Sequence, residues 1–310
     1  MGIVVFGAVF VDVKGYPLSQ YIPSGRNVGR VIQVHGGVSR NVVEDIANIE
    51  LRPTYVSVVD DTGMGNDVIE KLNKHKVNTD YVVRTPDGLG TWLAIFDNNG
   101  DVVASISKRP DLSKIAEVLE EHGEEIIASS DSVVVEIDME ADLLKKIFAL
   151  AEKYQKQIFA VVSNMSIAME RRDLLSKASC LVCNQQEAEH FFSEDFSGIA
   201  PEDFVTILDE KIRQVDIPKM VVTLGDKGAV YASQDGEAGF TPAQRTEVID
   251  TTGAGDAFFA GIAIGLTYGK TLEESCSIGT RLAAAVIATK ENVCPRFHPA
   301  EFGLVINDLD

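Results

Sequence analysis

The stretch Asp250 to Gly261, DTTGAGDAFFAG, places two glycines and a carboxylate where an apolar helical pattern, Ala254 to Tyr268, begins. Gly253 and Gly255 leave backbone N–H groups at that helix start open to an anion, with no side chain in the way. Asp256 adds a carboxylate to the same turn. Such a group repels a phosphate that is merely held, but it is well placed to take the proton of an attacking hydroxyl. The chemistry indicated is phosphoryl transfer, with Asp256 as general base and the amides of Gly253, Ala254 and Gly255 as the anion hole. A dinucleotide fingerprint would also use glycines at this density. That fingerprint belongs to a first βαβ unit, whereas Gly253, Gly255 and Gly261 open the penultimate helix of the chain.

In open α/β sheets, ligands lie outside the carboxyl ends of the strands, which directs attention to four further turns. Asp12 follows a first strand, Ile3 to Val9, as a turn residue or a ligand. In HGGVSRN, Gly36 and Gly37 permit close backbone approach and Asn41 offers a two-sided amide to a polyol; a glycine turn opening a helix, capped by Ser39 or its neighbour, is the plainer reading. In NQQE, Asn184 and Glu187 have the spacing of a helix cap and its capping-box partner. In TLGDKGAVY, Gly225 and Gly228 shape a turn between two strands, with Thr223 before it and Lys227 as an exposed turn residue.

Those turns need a frame, and the rest of the chain supplies one. Strand patterns at 54–59, 80–84, 132–137, 158–162, 180–183 and 220–224, with Arg245 to Ile249 as a further strand, alternate with helical ones near 65–75, 111–127, 140–154, 200–214 and 272–289. Strands separated by helices, and apolar along their whole length, predict a mostly parallel sheet covered on both faces. Two β-rich runs, Gly90 to Phe96 and Val102 to Ile106, flank the turn residues Asn98, Asn99 and Gly100, predicting an antiparallel hairpin. With a strand at 30–34 this hairpin forms a small separate sheet, expected to act as a lid. The expected division is 1–14, 36–89 and 108–310 for the large domain and 15–35 and 90–107 for the lid.

The 310 residues carry 28 Lys+Arg against 47 Asp+Glu, a net charge of −19, which disfavours nucleic acid and anionic membrane as partners. No apolar run approaches the roughly 20 residues of a membrane span, and the N-terminus lacks a signal-peptide pattern, so a cytoplasmic location is expected. Cys180 and Cys183 form a CxxC within a strand pattern. Positions three apart on a strand face opposite ways, so buried thiols are expected rather than a metal or redox site.

DTTGAGD at 250–256 resembles the C-terminal signature of the ribokinase/PfkB family of carbohydrate and nucleoside kinases, and the resemblance spans nearly the whole chain. It implies a ribokinase-like α/β fold with a β lid, ATP as phosphoryl donor with Mg²⁺, and a small sugar or nucleoside acceptor. Gly36, Gly37 and Asn41 resemble the family's GGxxxN sugar-binding signature, and Asp12 stands where members hold sugar hydroxyls. Arg40 gives the GGxxRN form found in pseudouridine kinases. Asn184 and Glu187 resemble the NxxE motif associated with magnesium and phosphate, and Thr223, Gly225 and Gly228 the segment along the nucleotide. Asn292 is a further candidate near the adenine and cation sites. The family is also linked to a monovalent cation near Asp250 and to homodimers joined through the lid. The acid that many relatives carry after the strand at 158–162 is absent from Val161, Val162, Ser163 and Asn164. A specific pseudouridine kinase and a non-catalytic sugar- or nucleoside-binding protein are the alternatives; retention of Asp256 speaks against the second.

Overall fold

The structure is a computed structural model that describes residues 2–305. Its core element is a sheet of nine strands whose inner members are apolar on both sides. The chain begins with β1 (Val4–Phe6), then leaves the large sheet for β2 (Phe10–Pro17) and β3 (Gly29–Gly36) before returning through α1 (Val38–Asn48) and β4 (Thr54–Val59). After α2 (Gly63–Lys74) and β5 (Asn78–Arg84) it departs again through β6 (Gly90–Phe96) and β7 (Val102–Lys108). From there it alternates: α3 (Ser113–Ser129), β8 (Val133–Glu136), α4 (Ala141–Lys153), β9 (Ile158–Val161), two short helices α5 (Met165–Met169) and α6 (Arg172–Leu175), then β10 (Cys180–Asn184) and α7 (Gln185–Phe192). The last third holds α8 (Pro201–Ile212), β11 (Lys219–Thr223), β12 (Gly228–Ser233), β13 (Ala238–Pro242), α9 (Ala254–Thr267) and α10 (Leu272–Ile287).

The large sheet runs β13-β12-β11-β10-β9-β8-β1-β4-β5. It is parallel from β5 to β11, and β12 and β13 add an antiparallel edge. Successive residues of one strand feed different layers: Val4 and Phe6 pack into one hydrophobic cluster and Val5 into the other. This is why the central strands read as unbroken apolar runs. Cys180 and Cys183 divide in the same way, each in a different cluster, and all four cysteines are free and buried. Helix α9 is buried from Ala257 to Leu266 and crosses α10 where Gly261 meets the backbone of Gly279, a contact that leaves no room for a Cβ.

The small sheet has the order β3-β2-β6-β7, and the hairpin at 90–108 forms as the sequence predicts. Two sequence expectations need correction. Asp12 is not in a turn after the first strand: it lies inside β2, because the chain passes from the large sheet to the small one between Phe6 and Phe10. Residues 245–249 are not a strand. Val248 and Ile249 are 61% and 51% exposed, and the Ile249 N–H donates to the Ile287 carbonyl at the end of α10 (2.7 Å), so β-prone residues meet a helix end here and not a strand. Among the described residues no helix is long and apolar enough to cross a membrane.

Candidate active site

The site is built at the N-terminus of α9. Asp250 Oδ1 accepts the Thr252 N–H (2.8 Å), an Asx turn that bends the chain into the helix. Gly253 caps the helix with φ 84°, and a side chain there would overlap the Asn292 carbonyl oxygen. Gly255, by contrast, has nothing within 4 Å of the place a Cβ would occupy. The Ala254 amide already donates to the Thr251 carbonyl (3.3 Å), so Gly253 and Gly255 carry the more available donors of the three expected.

Asp256, in the first turn, is met by α1: Asn41 Nδ2 donates to Asp256 Oδ2 at 2.6 Å. Burial pushes the Asp256 carboxyl up to about 7; the Asn41 hydrogen bond and the charge of Arg40 pull it down, and the neighbouring Asp12 raises it. A general base is most effective with its pKa near the working pH. Asn41 Oδ1 is buried with no protein donor. Buried acceptors find partners, so a hydroxyl arriving from a ligand fits that position. Asp12 reaches the same place from β2, its carboxylate filling the space a side chain on Gly36 would take. Burial raises the Asp12 pKa, against the opposing charges of Lys14 and Arg40. Gly37 caps α1 at φ 99°, with the Ala8 carbonyl 2.7 Å from where a Cβ would stand.

Ser39 does not cap α1. Its hydroxyl lies 3.0 Å from the Ala8 carbonyl, 3.0 Å from Tyr55 Oη and 3.1 Å from Glu136 Oε2. Glu136, which also accepts the Ala8 N–H (2.8 Å), is held up to about 7 by burial. Sequence reasoning passes over this carboxylate because a Glu at the end of an apolar strand has no motif around it. It also misses Asp138, which supplies an acid close to the strand end where Val161 to Asn164 lack one: Ser163 Oγ donates to Asp138 Oδ2 at 2.8 Å, and Arg109 pairs with the same oxygen at 3.0 Å.

Beside Gly255 opens a cavity of about 770 Å³, lined by Thr223, Gly225 and Gly228 from the β11–β12 turn, by Arg245 and Thr246, and by α9 and α10. Its size is within the range of small-molecule and cofactor sites. Gly228, at φ 126°, lies so close to the Thr241 carbonyl that no side chain fits. Asn184 pairs in register with Thr223 at the strand ends. There Asn184 and Glu187 form a capping box, Asn184 Oδ1 accepting from Glu187 N (2.9 Å) and Glu187 Oε2 from Asn184 N (2.8 Å). The structural reading of NQQE is therefore met, with Glu187 Oε1 outside the box. Asn292 stands elsewhere. It lines a smaller cavity of about 270 Å³ with Lys14, Tyr16, His35, Asp250 and Thr252, and its Nδ2 donates to the His35 carbonyl at 2.8 Å.

Residues 2–294 match the family described as pfkB family carbohydrate kinase. Guanosine-inosine kinase of Exiguobacterium acetylicum is 32% identical over 292 residues, covering 94% of this chain and 95% of that protein. Pseudouridine kinase of Escherichia coli (strain K12) is 26% identical over 275 residues, covering 88% of this chain and 86% of that protein. Among solved structures, Arabidopsis thaliana ribokinase complexed with ribose and ATP superposes with a TM-score of 0.83 over 97% of both chains at 18% identity.

Proposed function

The chain belongs to the pfkB family of carbohydrate kinases, and from that premise we propose that it transfers the γ-phosphoryl group of ATP to a hydroxyl of a nucleoside. The observation that carries the reading is the Asn41–Asp256 pair, partly buried at a helix N-terminus beside the open face of Gly255. Asn41 Oδ1 and Asp12 orient the substrate, and Asp256 takes the proton of its hydroxyl as the oxygen attacks phosphorus. The new O–P bond forms as the bond from the γ-phosphorus to the bridging oxygen breaks, and ADP leaves. The amides of Gly253 and Gly255 meet the charge that grows on the transferred oxygens.

The large cavity suits the nucleotide, with Thr223, Gly225 and Gly228 along one wall. Bound magnesium offsets phosphate charge. Glu187 Oε1 is a carboxylate oxygen outside the capping box at the Asn184–Thr223 strand ends, and a single carboxylate would suit an ion that keeps most of its waters and phosphate ligands.

The preference for a nucleoside over a bare sugar rests on the small sheet, which we propose acts as the lid. Asp12 is in register with Trp92, so the two share a face. On the same face Tyr16 stacks on Phe96 at 4.8 Å, and Trp92 meets Phe96 edge-on at 6.4 Å. An aromatic surface beside the hydroxyl-binding carboxylate suits a base attached to a sugar. Base stacking contributes about 1–3 kcal/mol by alanine substitution. Trp92→Ala is accordingly expected to raise KM for the nucleoside roughly 5- to 150-fold while leaving KM for ATP within about twofold; an unchanged nucleoside KM removes the stacking argument. ADP release with guanosine, inosine, adenosine, pseudouridine, ribose and fructose as acceptors tests the reading as a whole. Turnover with sugars alone, or with none of the panel, overturns it.

The opposite face of the lid carries Val31, Leu93 and Ile106, which are 68%, 38% and 70% exposed. Apolar residues so arranged mark an interaction surface, and we assign it to a second copy of this chain. Light scattering then gives a dimer that Ile106→Asp converts to monomer; a monomeric wild type at micromolar concentration argues against this.

A further inference from the structure

We propose that Arg40 is a positioning residue for phosphoryl transfer: its guanidinium locks the lid hinge, Asn292 and α1 together and supplies the buried positive charge behind Asp12 and Asp256. This rests on the reading of Asp256 as base. Arg40 is 1% exposed, among the largest fully buried side chains in the molecule. Every branch of its fork is engaged. Nη1 bonds Glu44 Oε2 (2.5 Å), Nε donates to the Gly36 carbonyl (3.4 Å), and Nη2 donates to the His35 carbonyl and to Asn292 Oδ1 (3.3 Å).

The geometry exceeds what an ion pair for Glu44 requires. Glu44 Oε1 already has Lys71 at 3.2 Å, so its charge has another counterion. Three of the four acceptors of Arg40 are instead the two hinge carbonyls, where β3 becomes α1, and the side chain of Asn292. The Asn292 carbonyl in turn lies against Gly253, the cap of α9. Asn41, the next residue along α1, reaches Asp256. One buried side chain therefore joins three parts of the site: the lid strand, the anion turn and the helix bearing the substrate amide. A planar fork of five donors does this; an ammonium does not.

The charge matters because the surroundings of Asp256 are otherwise acidic. From β2 it faces Asp12, and from α1 it faces Asp45 along with Arg40. Lys14 acts on Asp12. His35, hydrogen-bonded to Asp67 at 3.0 Å, and Lys71 and His75 lie around Arg40 and Glu44. Among the described residues, Arg40 is the cation whose charge lowers the carboxyls of both Asp12 and Asp256.

The test compares wild type, Arg40→Met, Arg40→Lys and Asp256→Asn by ADP release, with kcat and KM for the nucleoside measured from pH 5.5 to 9. Loss of an adjacent opposite charge raises a carboxylate pKa by about one or more. Arg40→Met should therefore move the acid limb of kcat/KM upward by about one pH unit and lower activity at pH 7 about fivefold through that shift. Arg40→Lys should return the limb toward the wild-type position but not the plateau rate, because it restores charge without the fork. A purely structural arginine predicts a lowered Tm with the limb unmoved, and that result overturns the proposal. Should Arg40→Met fail to fold, Arg40→Met/Glu44→Gln, which leaves no unpaired Glu44 charge, is read in the same way. Asp256→Asn separates the two readings: if it retains turnover, the base assignment falls and this proposal with it; if it is inactive while the Arg40→Met limb stays in place, only the role of Arg40 falls.

Discussion

Asp256→Asn is expected to lower turnover about 10²–10⁴-fold, the usual effect of removing a positioned base, and at the same time to make the protein more stable at pH 8. The two effects share one cause. Asp256 is partly buried, and desolvation by its neighbours lifts its pKa from 3.8 to about 7. A carboxyl whose folded pKa is raised contributes stability that is fully present below its unfolded pKa and is lost as pH rises through the folded value. At pH 8 the ionised form therefore opposes folding, and the neutral asparagine amide removes that opposition. A pKa displaced by one corresponds to about 1.4 kcal/mol, so a few kcal/mol is the upper order of the effect before Asn41 and Arg40 are repacked. Glu136, raised from 4.5 to about 7, acts with the same sign, and so does Asp45, whose carboxyl burial lifts well above its ordinary range. Wild-type Tm should thus fall between pH 6 and pH 8.5, and fall less in the variant. Below pH 6, His35 and His75, both lowered mainly by burial, pull in the opposite direction as they protonate. Thermal melts at pH 6.5 and 8.5, beside turnover at saturating ATP, check both halves. A variant with near wild-type turnover ends the assignment of Asp256 as base.

How far these features are legible in sequence depends on whether their partners are local. The anion turn is legible because its requirements are local: a left-handed cap, an open second glycine and a carboxylate within one helical turn. The alternating large sheet is legible for the same reason, since apolar strands and amphipathic helices are written within windows of five to fifteen residues. Asp12 is misplaced by sequence pattern because Ile3 to Val13 is nearly one continuous apolar run, and nothing in it marks the step from the large sheet to the small one. The expected strand at 245–249 shows the reverse case, β-prone residues whose backbone meets the end of α10 and not another strand. Arg40 is the clearest limit. The sequence marks it only as the arginine of a GGxxRN pattern, yet one of its acceptors, Asn292, is 252 positions away. The same holds for Asp138, whose carboxylate accepts from Ser163 from just beyond the end of the neighbouring strand β8. Burial of a charge is decided by which distant groups arrive to satisfy it, and only the assembled fold states that.

The two glycines of the anion turn should respond in opposite ways to the same small change. At Gly253 the backbone is left-handed, φ 84°, and a methyl group would meet the Asn292 carbonyl. Neither the dihedral nor the neighbour can yield without moving the cap of α9 or the chain at 292, so Gly253→Ala is expected to cost about 3 kcal/mol or more. A loss of that size lowers Tm by roughly 5–10 °C, and activity falls because the turn itself is displaced. Gly255 is the second residue of α9, outside the left-handed backbone region, and there is open space where its Cβ would stand, so alanine adds no strain. Gly255→Ala should therefore fold at least as well as wild type. That open space is the wall of the large cavity, however, and a methyl group there shields the amide that the proposed mechanism assigns to the transferred phosphoryl group. The expected loss in kcat/KM for ATP is about 10²–10³-fold, the size found when an oxyanion donor is removed. Tm and kcat/KM measured on the same two samples distinguish these outcomes. A Gly255→Ala variant that retains full kcat/KM for ATP would show that phosphate is bound somewhere other than this turn.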